Sequence, residues 1–170
     1  MKEVKVNILI LNYNGKAFLK ECLDSVMAID YSNYSVVFID NGSTDNSVDY
    51  VKSLYENVEV VQTGENKFYA GGYNYFFNKN SGESFFMILN NDTIVDKNIL
   101  KHFFAGVNRY GENNIYGPRI MFSDDRNKLW YAGAKVNLFK GIIKHLHIRS
   151  DFRDMKLKDL ETDYITGCCM

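Results

Sequence analysis

Cysteine is scarce in this sequence: Cys22, Cys168 and Cys169 are all there are, an odd number with two adjacent and no C-x-x-C pair. That argues against a disulfide framework or a zinc knuckle and points to a reducing cytosol. Long apolar runs are also lacking, and none approaches the roughly 20 residues that a membrane helix needs. The opening MKEVKVNILILNYNG reads unlike a secretory leader. Its apolar part is only about eight residues, contains Asn7 and is not followed by a small-residue cleavage site. An excess of charge of one sign is missing as well. The 20 Lys and Arg face 21 Asp and Glu, a formal net charge of −1, so there is no electrostatic footprint for bulk nucleic-acid binding. Glycine signatures for phosphates are absent too. No G-x-G-x-x-G follows the first apolar run and no G-x-x-x-x-G-K-[ST] occurs, which disfavours the dinucleotide-binding and P-loop classes.

What is present is a globular composition. Of 170 residues, 46% are hydrophobic, 24% charged and 15% aromatic, enough apolar material to bury one core. Val4 to Leu11, Ser35 to Asp40, the segment from Val58 and Phe85 to Leu89 read as short, buried, β-branched or aromatic strands. Between them, apolar residues recur at helical spacing: Phe18, Leu19, Cys22, Leu23, Val26 and Met27; then Val48, Val51 and Leu54; then Ala70, Tyr73 and Phe77, a short helix after NKFYAGG. Leu100, Phe103, Phe104 and Val107 follow the i, i+3, i+4, i+7 template. Ser43 and Thr44 are candidate helix N-caps. Alternating strands and helices predict an α/β fold, a mostly parallel sheet with helices on both faces. After Gly111 comes Pro118, the single proline, then short strands in NKLWYAG, AKVNLF and IIKHLHI, a β-rich C-terminal part.

Right-handed crossovers bring the C-terminal ends of parallel strands to one edge, where ligands bind in open α/β sheets. Four polar or Gly-rich clusters fall there: LNYNG, DNGSTD, GENKFYAGGYN and NND. Such residues let backbone N–H groups approach a phosphate. Asp40 is placed to accept hydrogen bonds from a ribose or a base. Asp92, beside amide oxygens, is a hard ligand suited to Mg2+ or Mn2+ that also contacts a diphosphate. Each cluster taken alone is also ordinary turn and cap chemistry.

The stretches ILILNYNG, FIDNGSTDNS, ENKFYAGGYN and ILNNDT, in this order and spacing, resemble the inverting glycosyltransferases of family 2 with the GT-A fold, above all a bacterial rhamnosyltransferase-like branch. The likeness continues through LWYAGAKV and DYITGCCM. It implies that Asn12, Tyr13 and Asn14 line the nucleotide pocket. It implies that Asp40 contacts the donor base with Asn41 and Gly42 beside it, and that Asn66, Ala70, Gly71, Gly72 and Asn74 form a Gly-rich segment over the donor. Asn90, Asn91 and Asp92 then occupy the D-x-D position, with Asp92 as the ligand of Mg2+ or Mn2+ and Asn90 where the first acid would stand. The family's general base, a carboxylate of a Glu-Asp motif, is expected after Met170. Residues 1–170 are therefore read as a single GT-A domain that stops before its catalytic segment and lacks a catalytic base.

The implied function is transfer of a sugar from a UDP-, GDP- or dTDP-sugar to a hydroxyl of a glycan or lipid-linked acceptor, in bacterial cell-surface polysaccharide synthesis. The implied setting is cytoplasmic, at most peripheral at the inner face of the membrane, with membrane contact only through other regions and no nucleic-acid partner. A non-catalytic nucleotide-sugar binding module is the alternative. A sugar nucleotidyltransferase is a third reading, opposed by the missing G-x-G-T-R loop after the first strand. Asp45 and Asp96 read as helix-start acids rather than ligands. His145 and His147 would share a strand face, without a third metal ligand in view. Lys140, Lys144, Arg149 and Arg153 read as a solvated face, or as one that meets an anionic acceptor. Trp130 and Tyr131 read as core rather than a sugar platform. Cys168 and Cys169 lack a partnered base and are not read as nucleophiles.

Overall fold

The computed structural model describes residues 4–80, 85–156 and 158–170; Met1 to Glu3, the start of the stretch weighed above as a leader, lie outside them. The chain divides into two compact units, residues 1–105 with 167–169, and residues 106–166 with Met170.

The first unit runs β1 (Val6–Asn12), α1 (Lys16–Met27), β2 (Tyr34–Asp40), α2 (Ser47–Leu54), β3 (Val58–Gln62), α3 (Phe68–Phe77), β4 (Phe85–Asn90) and the start of α4 (Ile99–Tyr110). Four parallel strands form one sheet in the order β3-β2-β1-β4. Both faces are covered, which is why the strands read as apolar runs rather than alternations. Ile8, Ile10, Phe38, Met87 and Leu89 pack on one side with Leu19, Leu23, Val51 and Leu100 of α1, α2 and α4. Leu9, Val37 and Ile39 pack on the other with Tyr73 and Phe76 of α3. This is the mixed α/β architecture expected from the sequence. The C-terminal end of the β4 edge is covered by the distant segment at 168–169: Leu89 bridges Cys169 antiparallel, and Asn90 N donates to Cys168 O at 2.9 Å.

Several boundaries differ from expectation. β1 and β4 continue through Asn12 and Asn90, because Asn12 stays in register with Asp40 and Asn90 with Leu11. The helix α3 begins at Phe68, so Gly71 and Gly72 lie inside it rather than before it. A Cβ on Gly72 would stand 2.4 Å from Leu11 Cδ1, so the absent side chain is what lets α3 lie close on β1. Ser43 and Thr44 do not cap α2. Asn46 precedes it in the left-handed conformation, and Asp45 accepts from the Ser47 backbone N–H at 3.1 Å and from its hydroxyl. Asp96 does serve the start of α4, accepting from Asn98 N at 2.7 Å.

The second unit is β-rich, as expected. It contains two antiparallel pairs, β5 (Ile120–Met121) with β6 (Leu129–Tyr131) and β7 (Ala134–Asn137) with β8 (Ile142–His145), and a 3-10 turn at Phe152–Asp154. Leu129, Tyr131 and Ala134 form its buried centre. Tyr131 donates its hydroxyl to Tyr164 O, which supports packing over a sugar platform. His145 and His147 do not share a strand face. His145 ends β8 among the rings of Trp130, Tyr131 and Tyr164, whereas His147 follows in a turn with φ 57°.

Candidate functional site

The strand ends of the first unit are tied to one another before any ligand arrives. Asn12, fully buried, donates from Nδ2 to Ser43 Oγ at 3.0 Å and accepts at Oδ1 from Asn91 Nδ2 at 2.6 Å, linking the ends of β1, β2 and β4. Asn14, at φ 50°, accepts at Oδ1 from Thr44 N at 2.7 Å, and its own N–H donates to Ser43 Oγ at 2.9 Å. Asp45 Oδ2 accepts from Lys16 N at 2.9 Å and so fastens the start of α1. Buried amides of this kind must be satisfied, and here they satisfy each other.

Asn41 is the hub on the β3 side. Its Nδ2 donates to Asn66 Oδ1 at 3.0 Å and to Phe68 O at 3.1 Å. Its Oδ1 accepts from Thr63 Oγ1 at 3.2 Å and Lys67 N at 3.0 Å. All four of its side-chain hydrogen-bonding positions are therefore filled by protein. Together with Asn66 Oδ1, which accepts from Phe68 N at 2.9 Å, it clamps the peptide groups on both sides of Phe68. Phe68 sits at φ 58°, a conformation that costs a bulky residue about 1–2 kcal/mol, and the residue is 80% exposed. The clamp holds an apolar side chain out over the strand ends in strained backbone.

A cavity of about 330 Å³ opens here, lined by Leu11, Tyr13, Asn41, Asn66, Phe68, Tyr69, Asn90, Asn91 and Asp92. The structure thus brings Tyr13, Asn41, Asn66, Asn90, Asn91 and Asp92 together, as the sequence grouped them. Asn12 and Asn14 support the lining from behind. Gly42, at φ 82°, passes so near residue 65 that a Cβ would meet the Glu65 backbone at 2.9 Å. Ala70, Gly71, Gly72 and Asn74 belong to α3 and are not in the lining. Leu11, Phe68 and Tyr69 were missed. The two aromatics stood inside the quoted NKFYAGG stretch, and aromatics between amides and glycines were the available signal.

Asp40 is the electrostatic oddity. It is 2% exposed and lies behind the lining. Oδ2 accepts from Ser43 N at 3.1 Å, but the buried Oδ1 has no protein partner. A buried carboxylate oxygen left without a donor is costly, and one extra N–H or O–H would satisfy it.

Asn90 has a structural reason to be an amide. Its Nδ2 points at Cys168 Sγ, 3.7 Å away, and its backbone oxygen accepts from Cys22 Sγ at 3.6 Å. A carboxylate could not donate to that sulfur. Burial pushes the Cys22 and Cys169 thiols up to about 12 and raises that of Cys168, with Asp92 adding to it. All three are free thiols held protonated, which fits inert packing rather than nucleophilic chemistry.

Whether these groups suit a divalent cation is decided by their donors. Asp92 is the one acid in the lining and is exposed to solvent. The amide nitrogens of Asn90 and Asn91 are directed at Cys168 and Asn12, so only their oxygens remain to offer. One carboxylate and two amide oxygens suit a hard cation that takes its other ligands from water and a diphosphate. Among the described residues, no group of three or more His, Cys, Asp and Glu could hold an ion by itself.

The family model for glycosyl transferase family 2 matches residues 7–170. The chain belongs to that family. Among curated members, it is 27% identical over 195 residues, 95% of this chain and 58% of the other, to a dolichyl N-acetyl-alpha-D-glucosaminyl phosphate 3-beta-D-2,3-diacetamido-2,3-dideoxy-beta-D-glucuronosyltransferase of Methanococcus voltae. Over 64 residues, 35% of this chain and 10% of the other, it is 36% identical to a poly(ribitol-phosphate) beta-glucosyltransferase of Bacillus spizizenii. Solved structures show the fold. A mannosyltransferase of Pyrobaculum calidifontis, in complex with GDP-Man and Mn2+, superposes with a TM-score of 0.60 at 19% identity, covering 74% of this chain and 38% of the other. S. aureus TarS 1-349 with UDP-GlcNAc gives 0.54 at 24% identity, covering 70% and 38%. The family 2 chain described here spans 16% and 21% of the length of two further curated glycosyltransferase relatives, from Nostoc and Rickettsia conorii.

Proposed function

We propose that this family 2 chain holds the donor of a glycosyl transfer: a nucleoside diphosphate sugar with Mg2+ or Mn2+. The whole protein would move the sugar to an acceptor hydroxyl with inversion. The observation that carries the reading is Asp92, an exposed carboxylate at the end of β4 in a cavity otherwise lined by amides, aromatics and Leu11. Asp92, with the oxygens of Asn90 and Asn91, would hold the cation, which when bound offsets charge on the departing diphosphate. Tyr13, Phe68 and Tyr69 supply apolar walls for a base and sugar. Asp40 Oδ1, buried without a donor, suits an N–H of the base, and reaching it requires the ligand to displace part of the wall that Asn41 builds. The acceptor hydroxyl must lose its proton to a carboxylate as it attacks. The lining contains none besides Asp92, so we assign that role outside these residues. A binding module without transfer is the second reading, favoured by the same lack of a second acid.

The names of the relatives support a setting in surface glycan synthesis on a glycan or lipid-linked acceptor, and three free thiols support a cytoplasmic site. The sugars in those names differ from one relative to the next, so we keep the donor as a class and assign no rhamnosyl branch. The direct test is calorimetry with UDP, GDP and dTDP in the presence and absence of Mn2+. Binding of one of them that depends on Mn2+ is expected. Folded protein that takes up none of the three removes the proposal. Asp92→Ala should abolish the metal-dependent part and leave the thermal unfolding curve in place, because the side chain is exposed.

A further inference from the structure

The hairpin of β7 and β8 carries a surface that donor binding leaves unexplained. Leu138 and Phe139, at its turn, are 87% and 104% exposed, and Ile142 and Ile143, which follow at the start of β8, are each 51% exposed. Single exposed apolar residues are ordinary, but four within six residues of one hairpin are a patch. Asn137 Oδ1 accepts from Lys140 N at 3.0 Å and Gly141 takes φ 60°, so the turn is formed, with Leu138 and Phe139 at its tip.

Charge accompanies the patch. Residues 134–150 contain Lys135, Lys140, Lys144 and Arg149 and no acid, although the whole chain carries a net charge of −1. Lys135 and Lys144 are direct cross-strand partners, a like-charge pairing that sheets avoid. Lys135 is offset by Asp163 at 3.1 Å, and Arg149 lies over the Phe122 ring. Lys140 and Lys144 have no ion pair among the described residues. Two unneutralised cations therefore flank an apolar tip.

We propose that this hairpin seats on an anionic lipid bilayer, with Leu138, Phe139 and Ile142 entering the headgroup boundary and Lys140 and Lys144 meeting lipid phosphates. Apolar side chains gain by leaving water there. Basic ones gain from the negative surface potential, and their aliphatic stems follow the apolar tip inward. A protein groove would have to match both the apolar tip and the unopposed cations, and an anionic membrane surface offers both at once. The proposed contact lies inside this chain, whereas from the sequence membrane contact is expected only through other regions. The inference is independent of the donor site.

The test is sedimentation of the 170-residue chain, without nucleotide, with vesicles of phosphatidylcholine alone or mixed with phosphatidylglycerol. It should pellet with the mixed vesicles and stay in solution with the neutral ones. Lys140→Glu with Lys144→Glu should weaken that binding about tenfold, as should raising the salt to screen the surface. Leu138→Ser with Phe139→Ser should weaken it at either salt. Both variants change exposed side chains, and unchanged circular dichroism melts verify the fold. Wild-type protein left in solution with phosphatidylglycerol vesicles overturns the proposal, as does pelleting of both variants to the same extent as wild type. So does light scattering that shows a dimer dissociated by the serine variant with no vesicle binding, which assigns the patch to a second copy.

Discussion

At the scale of single residues, the site is built from side chains that look like ligands and act as fasteners. Asn41 has no hydrogen-bonding position left for a donor molecule, and Asn12 gives its amide to Ser43 and Asn91. What they hold in place is the exposed chemistry: Asp92, Tyr13 and the Phe68 ring. Phe68 is the sharpest case, since its left-handed backbone is kept by two amide clamps. Glycine takes that conformation without penalty. Phe68→Gly should thus keep thermal stability within about 1 kcal/mol of wild type, the relieved strain offsetting the greater freedom of the unfolded chain. The same change removes an apolar wall, so nucleotide affinity measured by calorimetry should fall. A variant that loses stability and keeps affinity would show that the ring packs rather than binds.

At the scale of elements, two glycines test how the helices and loops are set. Gly72 lets α3 approach β1, and the atom its Cβ would strike is at the far end of the Leu11 side chain, itself a cavity residue. Gly72→Ala gains helix propensity of up to about 1 kcal/mol and pushes Leu11 toward the cavity. The expected outcome is a melting temperature near wild type with nucleotide binding weakened about fivefold, on the order of 1 kcal/mol. Gly42 is the opposite case, with φ 82° and rigid backbone in the way. Gly42→Ala should cost about 2 kcal/mol or more in chemical denaturation. These two glycines also mark what the sequence made legible. Apolar runs and helical spacing located every strand and helix of the first unit, because burial on both sheet faces writes itself into composition. Asn12, Asp40 and Asn41 were legible as residues at the strand ends. Their division into fasteners, support and lining was not, because a buried amide bonded to its neighbours and an exposed one awaiting a ligand are the same letter. The start of α3 was misplaced for a related reason. Gly-Gly normally signals a loop, and here a close helix–strand contact overrides it.

At the scale of the whole molecule, the thiols set a pH limit. Burial raises Cys22 and Cys169 from 9.0 to about 12 in the folded protein. Below pH 9 both states keep these protons and nothing changes. Above it the unfolded chain ionises first, so stability falls as pH rises, by about 1.4 kcal/mol per thiol at pH 10. Urea unfolding at pH 8 and pH 10 should show that loss, and Cys22→Ala should flatten the slope. A slope unchanged by this substitution would mean that the thiol ionises as readily in the native state. The same corner of the molecule has a consequence for biosynthesis. The end of the β4 edge is covered by Cys168 and Cys169, and Asn90 stands 78 residues before its partner Cys168. At translation speeds of about 5–20 residues per second, that strand waits roughly 4–16 s after synthesis for the residues that cover it. An uncovered apolar edge is a template for pairing with other chains. The nascent chain should therefore depend on chaperones until Cys169 has left the ribosome and the end of β4, at Leu89 and Asn90, is covered.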